Sequence, residues 1–69
     1  MRASIRYVIG SRDALVRGVP AKWFASQGIP ALKSPLNHGH WVRHERIADL
    51  MARLEVDGAR VVYAERDLP

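Results

Sequence analysis

Val19-Pro20-Ala21-Lys22-Trp23-Phe24-Ala25-Ser26-Gln27-Gly28-Ile29-Pro30-Ala31-Leu32-Lys33 decides how this chain is read. Pro20 suits the first position of a helix, because its missing N–H would have no partner there anyway. Gly28 suits the left-handed stop after a helix, and Pro30 prevents continuation. The stretch therefore predicts a helix over 20–27 followed by an extended run, Ala31 to Ser34. A second extended run, His40-Trp41-Val42-Arg43, comes after the turn-rich segment Pro35-Leu36-Asn37-His38-Gly39, so 31–43 reads as a hairpin. Next comes the best-defined helix, 45–54. Ile47, Leu50, Met51 and Leu54 recur at the spacing of one buried helical stripe, and Asp57-Gly58 ends it.

Outward from this centre, Ile5-Arg6-Tyr7-Val8-Ile9 is β-branched and aromatic and stops at Gly10-Ser11, which predicts strand one. Ser11 or Asp13 can cap a short helical turn near 13–17, with Gly18 weakening it. Ala59 to Glu65 reads as a last strand, and residues 67–69 as a tail after a single domain of residues 1–66. The expected order is strand, helix, strand, strand, helix, strand: an α+β domain of βαββαβ, ferredoxin-like (split βαβ) arrangement. Right-handed crossovers would then place strands one and three in the middle and both helices on one face. The polar run His40 to His44 fits a central strand poorly, since such strands are strongly apolar.

Lys22-Trp23-Phe24-Ala25-Ser26-Gln27-Gly28-Ile29-Pro30-Ala31 resembles the end of the second helix in excisionase and MerR-like winged helix-turn-helix proteins. His40-Trp41-Val42-Arg43 and the helix after it are similar to that family's wing and following helix. The resemblance covers residues 19–54. It implies a winged helix-turn-helix as the alternative fold, with helix 20–27 entering a groove and loop 34–40 touching backbone. Lys22, Gln27, Lys33, His38 and Arg43 would then be contact residues. The family's first helix would fall before Gly18, where this sequence reads as a strand.

Sixty-nine residues support only a thin core. With no cysteine there is neither a disulfide nor a thiolate metal site, which fits a reducing compartment. No apolar run exceeds four residues, far below the roughly 20 that span a bilayer. No apolar signal segment follows Arg2. A soluble, cytoplasmic protein is the expectation, and 48% apolar with 26% charged residues is not the composition of a disordered tail.

Charge is unevenly placed along the chain. Residues 1–44 carry Arg2, Arg6, Arg12, Arg17, Lys22, Lys33 and Arg43 against Asp13 alone, net +6, and residues 45–69 are net −2. Most of these cations are Arg, whose planar fork matches phosphate. A basic half beside a mildly acidic one suits a polyanion-binding face. The expectation is a small non-enzymatic nucleic-acid-binding accessory or regulatory protein, of the kind mobile elements encode. Arg6, Arg12, Arg17, Lys22, Gln27, Lys33, His38 and Arg43 are its candidate contacts, with the 33–43 hairpin close to the grooves. The competing expectation is a protein-binding adaptor or inhibitor that occludes a surface of a host protein.

Other chemistry reads more weakly. His38, His40 and His44 share strand parity, and His-x-His pairs can ligate zinc or copper, but His38 falls in the turn and no cysteine completes the set. The histidines read as surface residues of a basic loop, with no metal and no cofactor expected. Gly10-Ser11-Arg12 lacks the spacing of a P-loop or dinucleotide fingerprint. Ser11, Ser26 and Ser34 have no nucleophile-elbow context. Trp23, Phe24 and Trp41 could stack on unpaired bases. A thin core claims the tryptophans first, which leaves Phe24, about 100° round the helix from Trp23, as the interface candidate.

Overall fold

The computed structural model describes residues 1–7, 10–36 and 38–64, without the side chains of Tyr63 and Ala64. The ends of the expected strands one and four, at Val8, Ile9 and Glu65, and the tail 67–69 lie outside the described residues. Seven elements follow one another: β1 (Arg2–Tyr7), β2 (Asp13–Arg17), α1 (Ala21–Gln27), β3 (Leu32–Ser34), β4 (Gly39–Arg43), α2 (His44–Val56) and β5 (Arg60–Ala64). The strands form one sheet in the order β3-β4-β2-β1-β5. Only β1 and β5 are parallel neighbours; the other pairs are antiparallel. The class is α+β.

The element that departs from expectation is β2. The turn-like helix expected near 13–17 is a strand, inserted between the first strand and β4, so the order is not βαββαβ. Its residues explain why. Ala14, Leu15 and Val16 are all buried, as in a strand covered on both faces, and such a strand reads as an unbroken apolar run. The Ser11 hydroxyl does bind locally, accepting the Asp13 N–H at 3.0 Å, but it shapes the entry to a strand rather than capping a helix. Gly18 then ends β2 at φ +86°, and a Cβ there would lie 2.0 Å from the Arg2 carbonyl oxygen. Two strands therefore occupy the chain ahead of Gly18, where a winged helix-turn-helix would carry its first helix.

β1 begins three residues ahead of the expected strand, at Arg2, because its start pairs in parallel with β5, and the remaining elements follow their sequence signals closely. In α1, Pro20 takes the N-cap and Gly28 the left-handed C-cap at φ 69°. The Gly28 and Ile29 N–H groups donate to the Ala25 and Phe24 carbonyls, satisfying groups the helix end leaves open. β4 runs directly into α2, whose first N–H donates to the Arg12 carbonyl at 2.9 Å. Ile47, Leu50 and Leu54 of α2 are buried, with Met51 packed beside them.

Both helices lie on one face of the sheet. The core joins Ala3 and Ile5 of β1, Ala14 and Val16 of β2 and Val42 of β4 to Val19, Phe24, Ile29, Ile47, Leu50 and Leu54. Phe24 is 2% exposed, so the expected interface role does not hold: the ring is core. Its neighbour Trp23 takes the boundary instead, because its indole N–H donates to the Asp57 carboxylate at 2.7 Å, a polar need that Phe lacks. Arg53 joins the two helices, donating to the Asp49 carboxylate of its own helix and to Gln27 of α1.

Candidate nucleic-acid interface

Among the described residues, the opposite face of the sheet carries no helix. Side chains alternate along a strand, so the residues between the core positions all point to it. From β1 these are Arg2, Ser4 and Arg6; from β2, Asp13, Leu15 and Arg17; from β4, Gly39, Trp41 and Arg43. Pairing aligns them across strands. Leu32 faces Trp41, Trp41 faces Leu15, and Leu15 faces Arg6. Arg2 of β1 lies beside Arg60 of β5, and Ser4 beside Val62. Asp13 faces Arg43.

Leu15 anchors this face. It is 1% exposed yet stands apart from the core beneath the helices. Gly39 makes room beside it: a Cβ at Gly39 would meet the Val16 carbonyl at 2.7 Å, the Arg17 Cγ at 3.0 Å and the Leu15 Cδ1 at 3.1 Å. The Arg17 stem thus lies over the glycine, next to Leu15, as long cationic side chains do on apolar surface. Trp41 and Arg6 flank Leu15 on its other sides and are half-buried.

Five arginines share this face: Arg2, Arg6, Arg17, Arg43 and Arg60. Asp13 is the carboxylate among the described residues of the face. Its ion pair with Arg43 spans 3.7 Å, with both side chains well exposed. At that distance and exposure the pair is worth at most about 1 kcal/mol, and phosphate can displace it.

Three shallow depressions border the face. One, of ≈ 360 Å³, is lined by Asp13, Pro30, Ala31, Leu32, Trp41 and Arg43. A second, of ≈ 290 Å³, is lined by Arg2, Ser4, Arg17, Gly18 and Val62. The third, of ≈ 410 Å³, lies at the end of the sheet between Ser11, Arg12, Arg43, His44 and Glu45.

The expected contact residues divide by face. Arg6, Arg17 and Arg43 come together on the helix-free side, and Arg12 joins Arg43 at its end. Lys33 lies opposite His40, a core-side position, so it points the other way. Lys22 is exposed on α1. Gln27 is held by Arg53, with its side-chain and backbone oxygens both 3.2 Å from the guanidinium. That bond ties Gln27 to α2 on the helix side, away from the arginines of the sheet face. His38 sits in the exposed β3–β4 turn at φ 53°.

Arg2, Arg60 and Val62 were missed by the sequence reading. The period-2 pattern Arg2, Ser4, Arg6 was the available signal for Arg2. Arg60 was hidden because it falls in the acidic third of the chain, and only the β1–β5 pairing returns it to the basic face.

The three histidines separate. His38 is in the turn, the His40 ring packs on Phe24 with centroids 4.9 Å apart, and His44 Nε2 lies 3.0 Å from the Asp13 carbonyl oxygen. Among the described residues no three His, Cys, Asp or Glu side chains are grouped to hold a metal ion. No described helix is long and apolar enough to cross a membrane. Compared with protein-family models, curated proteins and solved structures, the chain finds no match in any of the three.

Proposed function

We propose that this chain is a small nucleic-acid-binding accessory or regulatory protein that binds its partner rather than transforming it, with the helix-free sheet face as its docking surface. One observation carries the proposal: five arginines project from one side of a five-stranded sheet, against Asp13 among the described carboxylates. Arginine forks pair with phosphate oxygens bidentately, and such contacts supply affinity by releasing condensed counterions. Arg43 and Trp41 bring the hairpin into this surface, and Arg12 extends it round the end of the sheet.

The test is titration of labelled duplex DNA, single-stranded DNA and RNA at roughly 50 mM salt, followed by anisotropy, then repeated as salt is raised. Binding that falls steeply with salt is the expected result. Absence of binding to all three at the lowest salt would overturn the proposal.

The protein-adaptor reading draws on the edge strand β3 and its turn, where Leu32 and Leu36 are 71% and 90% exposed. An exposed strand edge with apolar side chains can pair with another chain. Recovery of a stoichiometric protein partner from nuclease-treated lysate, with no affinity for nucleic acid, would favour it.

A further inference from the structure

We infer that the helix-free face takes an unpaired nucleic-acid strand, with Trp41 as the surface on which a base stacks; the inference rests on the nucleic-acid reading above. Shape is the first argument. Five strands at about 4.8 Å spacing make a platform roughly 20 Å across. A duplex major groove is about 12 Å wide and the minor groove about 6 Å, so this platform enters neither. The two helices, which are narrow enough to enter a groove, are on the other side: α1 has seven residues, and α2 spends its apolar stripe on the core.

Placement of Trp41 is the second argument. It stands on an inner strand, between Leu32 and the buried Leu15, so its backbone is fixed on both sides by pairing. It is half-buried, and it lines the ≈ 360 Å³ depression together with Asp13, Pro30, Ala31, Leu32 and Arg43. A hollow that joins a partly open indole and apolar Pro30, Ala31 and Leu32 to a guanidinium suits a flat base and its phosphate, the phosphate displacing the exposed Asp13 from Arg43. Bases within a duplex are stacked on each other and offer no face to such a ring; bases of a single strand do.

Charge complementarity is the third argument. Along β4, Arg43 flanks Trp41 on one side and the Arg17 stem, lying over Gly39, on the other, while Arg6 lies across the sheet beyond Leu15. A strand running along β4 past Trp41 therefore meets cations both before and after the stacked base.

The experiment uses a 5′-labelled thymidylate 12-mer, the same strand annealed to its complement, and a uridylate 12-mer. Each is titrated with the wild-type chain and with Trp41→Ala. The single strands are expected to bind at least tenfold tighter than the duplex. Trp41→Ala should weaken them roughly 5- to 150-fold, the range for loss of one stacked base. Since Trp41 also covers Leu15, the Trp41→Ala chain could lose its fold. The Trp23→Phe chain supplies a second readout, because its single indole is Trp41: emission should be quenched as the thymidylate saturates it. Duplex binding equal to or tighter than single-strand binding, or saturation without quenching, would overturn the stacking inference and leave phosphate binding standing. No binding to any of the three probes would overturn both readings.

Discussion

Individual residues carry much of the specification here, and two adjacent aromatics illustrate how. The helical period assigns Trp23 and Phe24 to different faces but does not say which face is the core. Nothing local distinguishes them; the deciding group is Asp57, 34 positions away, which accepts the Trp23 indole N–H. Gly18 is specified by backbone alone, with φ +86° and the Arg2 carbonyl oxygen 2.0 Å from any added Cβ. Gly18→Ala should therefore cost more than about 2 kcal/mol, since the left-handed penalty is compounded by a clash with backbone that has no rotamer to change. A urea melt checks this, and an unchanged midpoint would mean that β1 and β2 part more easily at that corner than their pairing implies. His40 is the opposite case. Both its ring nitrogens are buried and, among the described residues, have no hydrogen-bond partner, and the ring packs on Phe24. Removing an unsatisfied polar group from a buried site is stabilising, so His40→Leu, close in volume, should gain about 1 kcal/mol. For a chain of this size that is a rise of about 4–8 °C in Tm by calorimetry. A fall in Tm would show that the imidazole finds a hydrogen bond in solution.

At the scale of elements, those with a complete local signal were legible: α1 between its proline and glycine, the β3–β4 hairpin, α2 with its four-residue stripe, and β5. The strand β2 was not, and its misreading altered the topology. Three apolar residues in a row fit a helical turn as well as a doubly covered strand, and periodicity cannot separate the two over so short a run. Ser11 added to the ambiguity, because the same hydroxyl-to-amide bond serves a helix cap and a strand entry. Only non-local pairing, with β1 on one side and β4 on the other, decides it. The inserted strand also resolves the objection to a polar β4. That strand lies next to the edge strand β3 instead of beside β1, and it needs only Val42 and His40 on the core side. Hydrogen exchange tests this directly. Amides of Ala14, Leu15 and Val16 lie between two paired neighbours and should exchange at rates set by global unfolding, while amides of the edge strand β3 should exchange by local opening. Fast exchange at Ala14 to Val16 would be incompatible with a central strand there.

For the whole molecule, the linear charge split and the spatial one turn out to be different quantities. Along the chain the basic part is residues 1–44; in space it is one sheet face, which loses Lys22 and Lys33 to the helix side and gains Arg60 from the acidic third. The sequence made the first distribution legible but not the second, because which face a cation joins depends on strand parity and on the register between strands far apart in the chain. The distinction gives a test that net charge alone cannot pass. Arg2 and Arg60 are exposed neighbours at the β1–β5 end of the face, and Lys22 and Lys33 are exposed on the other side. The double variants Arg2→Ser/Arg60→Ser and Lys22→Ser/Lys33→Ser each remove two positive charges and so have the same net charge. For a single strand, each phosphate neutralised contributes about −0.7 to the slope of log K against log salt concentration. The arginine pair should thus flatten that slope by about 1.4 when both residues engage phosphate, and the lysine pair should leave it nearly unchanged. Equal flattening by both pairs would mean that affinity follows total charge, and the sheet face would lose its claim as the docking surface.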